Sequence, residues 1–99
     1  MFTHVVLFWL KPGTPESARL ALESDCTNLL GQIPGLKLIS VGRPAMTPRD
    51  VVDNSYDIGL CTAFESSEGH DVYQKHPLHL DFISRNKAHW DRVRVVDFK

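Results

Sequence analysis

Apolar residues fall in two rhythms along this chain, and the changes of rhythm mark out its elements. From Phe2 to Leu10 the run is almost continuously apolar and rich in β-branched and aromatic residues, which reads as a strand. Alternation puts Phe2, His4, Val6, Phe8 and Leu10 on one side, with Thr3, Val5, Leu7 and Trp9 on the other. Lys11-Pro12-Gly13 ends the strand. Thr14-Pro15-Glu16 then opens a helix, with Thr14 as N-cap and Pro15 in the first position, where a missing amide hydrogen costs nothing. Helical spacing gathers Ala18, Leu22, Cys26, Leu29 and Leu30 on one face, and Gly31 with the Pro34-Gly35 turn stops the helix. A second strand spans Leu36 to Gly42, a long polar loop spans Arg43 to Ser55, and a third strand spans Tyr56 to Phe64. In the third strand Tyr56, Ile58, Leu60, Thr62 and Phe64 oppose Asp57, Gly59, Cys61 and Ala63. Ser66 or Ser67 caps a helix that carries His70, Val72 and Tyr73. Pro77 disfavours helical geometry at His76, so this helix ends near Lys75 and another starts on Pro77, carrying Leu78, Leu80, Phe82 and Ile83. Trp90 to Phe98 is the fourth strand.

The order β-α-β-β-α-β predicts an α+β, ferredoxin-like fold: a four-stranded antiparallel sheet with its helices on one face, in one domain over residues 1–99. Helices can cover only that face. The other carries Val5, Leu7 and Trp9, where a solvated antiparallel sheet would show polar residues. An uncovered apolar sheet of this size is unfavourable on a monomer, so a second, identical sheet is expected to cover it in a two-fold homodimer.

Composition narrows the function classes. Lys and Arg total 11 against 12 Asp and Glu, and no basic run exists, so the phosphate neutralisation that nucleic-acid binding needs has no support. No apolar stretch approaches the roughly 20 residues that cross a bilayer. The chain opens directly into a strand without signal-peptide features, and a cytoplasmic location is expected. Cys26 and Cys61 form no CxxC motif and read as small hydrophobes. The pair His76 and His79 lacks a third ligand, and the acidic residues of the 43–55 loop read as solvated, so neither a metal nor another cofactor is expected.

The segment Tyr73-Gln74-Lys75-His76-Pro77-Leu78-His79 sets one phenol and two imidazoles around the helix break. Together with Met1-Phe2-Thr3-His4-Val5-Val6-Leu7-Phe8, Lys11-Pro12-Gly13, Ile33-Pro34-Gly35, Val41-Gly42, Tyr56-Asp57 and Val95-Val96-Asp97-Phe98, it resembles the stress-responsive α/β-barrel (Dabb) family from end to end in one register. The resemblance implies a dimeric α+β barrel. It also implies one known family chemistry, the proton transfer of plant polyketide cyclases, in which the residues matching Tyr73 and His79 act as acid and base. Asp57 stands where that cyclase has a histidine, and Gly59 and Cys61 replace larger pocket residues. The same barrel architecture also hosts cofactor-free monooxygenases, and fold alone does not choose among them.

Read from the residues, His4, Val6 and Phe8 are expected to share a face with Asp57, Gly59 and Cys61, whose small side chains leave room for close helix packing or for a cavity. His76, Phe82 and Trp90 complete the expected lining for a small apolar or phenolic molecule. If chemistry occurs there, His79 is the base, Tyr73 donates to a carbonyl or enolate oxygen, and His4 or Asp57 orients. Each has a structural alternative: His4 as a core histidine, His76 as a cap on the first of the two helices, Tyr73 as a core edge. His70 and His89 read as surface residues.

Overall fold

The computed structural model describes residues 1–99. Its elements are β1 (Phe2–Leu10), α1 (Glu16–Asn28), β2 (Leu36–Gly42), β3 (Ile58–Phe64), α2 (Ser67–Lys75), α3 (Pro77–Asn86) and β4 (Trp90–Phe98). Short 3-10 turns follow α1 and α3. The four strands form one antiparallel sheet in the order β2-β3-β1-β4, as the ferredoxin-like reading expects. No helix is long and apolar enough to cross a membrane.

The boundaries follow local chemistry. Thr14 does not cap α1; its hydroxyl donates to the Lys11 carbonyl at 2.7 Å, inside a turn that Gly13 closes at φ 81°. Pro15 takes the N-cap position in extended geometry, and α1 begins at Glu16. Ser66 does cap α2, accepting from the Gly69 amide. His76 adopts extended geometry between α2 and α3, as the following proline requires, and α3 starts on Pro77. Its Nδ1 accepts from the Leu78 amide at 3.1 Å, so the His76 side chain caps the start of the second helix, while its backbone amide donates to the Tyr73 carbonyl at the end of the first. β3 begins two residues later than its sequence pattern suggests, because Asp57 is drawn out of the ladder. The Asp57 amide donates to the Phe8 carbonyl, its Oδ2 accepts from the Leu10 amide, and its Oδ1 pairs with Arg19 at 2.9 Å.

The core lies between the sheet and the helices. Val6, Phe8 and Leu10 of β1 and Ile58, Leu60 and Phe64 of β3 meet Leu22, Cys26 and Leu30. Burial, with Asp25 and Glu23 nearby, pushes the Cys26 thiol up to about 12, so it is a protonated core residue. A polar clasp joins α1 to α3: buried Asp25 accepts from Arg85 Nε at 3.1 Å and from Asn86 Nδ2 at 2.9 Å.

The register corrects one expectation. Val5 pairs with Cys61 and Leu7 with Gly59, whereas His4, Val6 and Phe8 pair with Thr62, Leu60 and Ile58. Gly59 and Cys61 therefore lie on the open face with Val5 and Leu7, where they border a shallow hollow with Tyr56 and Arg43. The bulkier set of β3 is the one that turns to the helices. Leu38, Val96 and Phe98 remain exposed. Every residue of β4 after Trp90 is exposed.

Candidate functional site

A cavity of about 170 Å³ lies between the sheet and the helices. Its floor is His4, Val6 and Phe8 of β1 with Leu60 of β3, and its roof is Tyr73, His79 and Phe82. Trp90, Val93 and Val95 close the β4 side, where Val93 and Val95 are 40% and 49% exposed and form an open lip. Of the residues expected around such a space, His4, Val6, Phe8, Tyr73, His79, Phe82 and Trp90 are brought together. Gly59 and Cys61 point to the opposite face, His76 serves as a helix cap, and Asp57 is engaged by Arg19 and the Leu10 amide.

The break at Pro77 sets the geometry of the roof. It lets the ends of two helices converge, so that the Tyr73 and His79 rings meet edge to face at 4.9 Å between centroids. Phe64 supports Tyr73 from below at 4.9 Å. Burial raises the Tyr73 phenol well above its ordinary value, so it remains a donor. Burial, reinforced by His4 and His70, lowers His79 below 6.5 and keeps its imidazole neutral near pH 7. His79 Nδ1 is buried with no hydrogen-bond partner. An unpaired buried nitrogen costs about 1–3 kcal/mol, which a bound polar group can recover.

The shift of His79 has a consequence for stability. A histidine with a lowered folded value favours the native state fully above the ordinary 6.5, and that contribution is lost as pH falls through the lower folded value. The melting temperature, measured in chelator from pH 7 to pH 5, is expected to fall more steeply for the wild type than for His79→Gln. Parallel curves would remove this account of His79.

Of the two orienting groups expected, Asp57 is engaged elsewhere, and His4 is itself held by a carboxylate, that of Asp97. His4 Nδ1 bonds Asp97 Oδ1 across the β1–β4 pair, where His4 and Asp97 are register partners. His70, expected at the surface, is only 8% exposed. It stacks on Phe2 at 4.5 Å, tilts against His4 at 4.5 Å and contacts Gln74 through Nε2 at 2.9 Å. Ligand-type atoms of His4, His70 and Asp97 all lie within 4.8 Å of one another. Two sequence signals were available for this group. Helical spacing places His70, Tyr73 and Gln74 on one face, and alternation places Val93, Val95 and Asp97 on one face of β4.

Comparison with known proteins agrees with this architecture. The model of the Stress Responsive A/B Barrel Domain, Dabb, matches residues 2–99. A stress-response A/B barrel domain-containing protein of Arabidopsis thaliana is 26% identical over 97 residues, spanning 98% of this chain and 84% of the relative. A dimeric ferredoxin-like protein of unknown function from Thermobifida fusca superposes with a TM-score of 0.83 at 20% identity, covering 98% of this chain and 88% of the other. The hydroxynitrile lyase of Passiflora edulis superposes with a TM-score of 0.82 at 18% identity, covering 98% and 90%. At these identities the two structures establish the fold alone. The chain belongs to the stress-responsive A/B barrel domain family.

Proposed function

We propose that this protein binds a small, largely apolar molecule carrying one polar oxygen, in the chamber between helices and sheet, and that it does so as a homodimer. The observation that carries the binding reading is an apolar cavity whose roof holds an unpaired buried imidazole nitrogen beside a phenol. A volume of about 170 Å³ compares with the roughly 150 Å³ of a dry engineered cavity that accepts benzene, so one ring fits inside. Any longer tail leaves over Val93 and Val95. The homodimer is supported by the apolar open face and by the dimeric description of the Thermobifida fusca protein.

A catalytic reading is favoured by the Tyr73–His79 pair. A neutral His79 is a competent base for a carbon-bound proton next to a carbonyl, and the Tyr73 hydroxyl can donate to the enolate oxygen that forms. The lyase name of the Passiflora edulis protein shows that this fold accommodates an enzyme.

A thermal-shift screen with single-ring phenols and phenyl ketones tests binding, because a ligand that prefers the native state raises the melting temperature. The expected result is a dose-dependent rise, weakened about fivefold in apparent affinity by Tyr73→Phe through loss of one hydrogen bond. A flat screen across both compound classes sinks the binding reading. Turnover of a bound ketone that disappears in His79→Ala, with the shift retained, separates catalysis from storage.

A further inference from the structure

We infer that His4, His70 and Asp97 form a binding site for a single divalent transition-metal ion of the zinc type, one ion per chain. The three side chains come from β1, α2 and β4 and present two imidazoles and a carboxylate within 4.8 Å of one another. That donor set selects its ion. Two nitrogen ligands disfavour magnesium and calcium, which prefer oxygen throughout, whereas zinc takes histidine and carboxylate together and keeps a position open beside three protein ligands.

The surroundings suit an ion better than a plain hydrogen-bonded cluster. His4 and His70 are 4% and 8% exposed, so both imidazoles are already desolvated. Phe2 stacks on the His70 ring, and Phe64 meets it edge-on at 5.4 Å. Gln74 meets His70 Nε2 through its amide nitrogen, and ligation through Nδ1 needs that amide turned over, so that its oxygen accepts from Nε2–H and Gln74 becomes the outer partner that orients the ligand. The Asp97 carboxylate is 38% exposed and provides a route of entry. A tetrahedral zinc site needs ligand atoms roughly 3.3 Å apart, given bond lengths of about 2.0–2.2 Å. The present spacing requires His70 to close in and the His4–Asp97 contact to open slightly, movements that side-chain rotation supplies. His4 and Gln74 also line the chamber, so the ion sits against its wall. The site does not depend on the chamber having an occupant.

The test uses the full-length chain without a histidine tag, stripped with chelator and titrated with Co²⁺ as a spectroscopic probe and with Zn²⁺ by calorimetry. The expected result is one equivalent per chain, with the visible absorption of cobalt in a low-symmetry nitrogen and oxygen site. His70→Phe, which keeps the stack on Phe2, and Asp97→Asn are expected to abolish stoichiometric binding. Gln74→Ala is expected to weaken it by about ten- to a hundredfold. His89→Gln, remote from the cluster, is expected to leave it unchanged. No cobalt spectrum in the wild type overturns the site without reference to any variant. So does stoichiometric binding that persists in folded His70→Phe or is lost in His89→Gln.

Discussion

Leu7→Asp is expected to convert the homodimer into folded monomers. Leu7 lies on the open face, opposite Gly59 on one neighbouring strand and Arg94 on the other. In a two-fold interface every residue acts twice, so one substitution places two carboxylates in the contact. Arg94, the cross-strand neighbour, can pair with the new carboxylate, but burying two such ion pairs in an apolar contact still costs several kcal/mol, roughly two decades or more in the dissociation constant. Within one chain the new side chain stands on the open face, so the fold itself is preserved. Sedimentation at tens of micromolar, with circular dichroism as the folding control, reads the outcome. A monomeric wild type, or a Leu7→Asp protein that stays dimeric, refutes the proposed interface.

Phe64→Ala is expected to carry the largest stability cost of any single truncation near the chamber. Phe64 is fully buried at the end of β3 and supports both Tyr73 and His70. Truncating a buried phenylalanine costs about 3–5 kcal/mol, the sum of lost burial and the void left behind. For a domain of this length each kcal/mol is worth roughly 4–8 °C, so the melting temperature is expected to drop by more than about 12 °C. A scanning calorimetry shift of only a few degrees would mean that neighbouring side chains collapse into the space. The same variant is expected to loosen the tyrosine roof, so any ligand-induced shift falls with it.

Much of the fold is legible in the chain because single residues dictate it. Pro77 alone sets the helix break, through its effect on His76 and its suitability as a first helical residue. The apolar character of both sides of β1 announces a sheet that needs cover on two faces. The wrong side assigned to Gly59 and Cys61 has a plain origin. Alternation says which residues of a strand share a face, but only the pairing register says which face meets the helices. Bulk was the better guide: Ile58, Leu60 and Phe64 offer more apolar area to the core than Gly59, Cys61 and Ala63.

The site was half legible for the same kind of reason. Tyr73 and His79 flank a break visible in sequence, and their meeting follows from it. The partnership of His4 with Asp97 joins residues 93 positions apart, and it exists only because the first and last strands are neighbours. Asp57, offered by the sequence as an alternative orienting group to His4, is claimed by the Leu10 amide and Arg19. His70 looked like a surface residue because α2 is largely polar; its side chain nonetheless turns toward Phe2 and His4.

The pairing of β1 with β4 has a consequence for how the protein is made. During synthesis β1 is made before β3 and β4, and it can join β3 while its other edge still waits for β4. Until then an oily central strand exposes unpaired amides and carbonyls, the kind of edge that recruits other chains. The nascent polypeptide thus passes through a sticky stage that lasts until β4, with Asp97 in it, has left the ribosome.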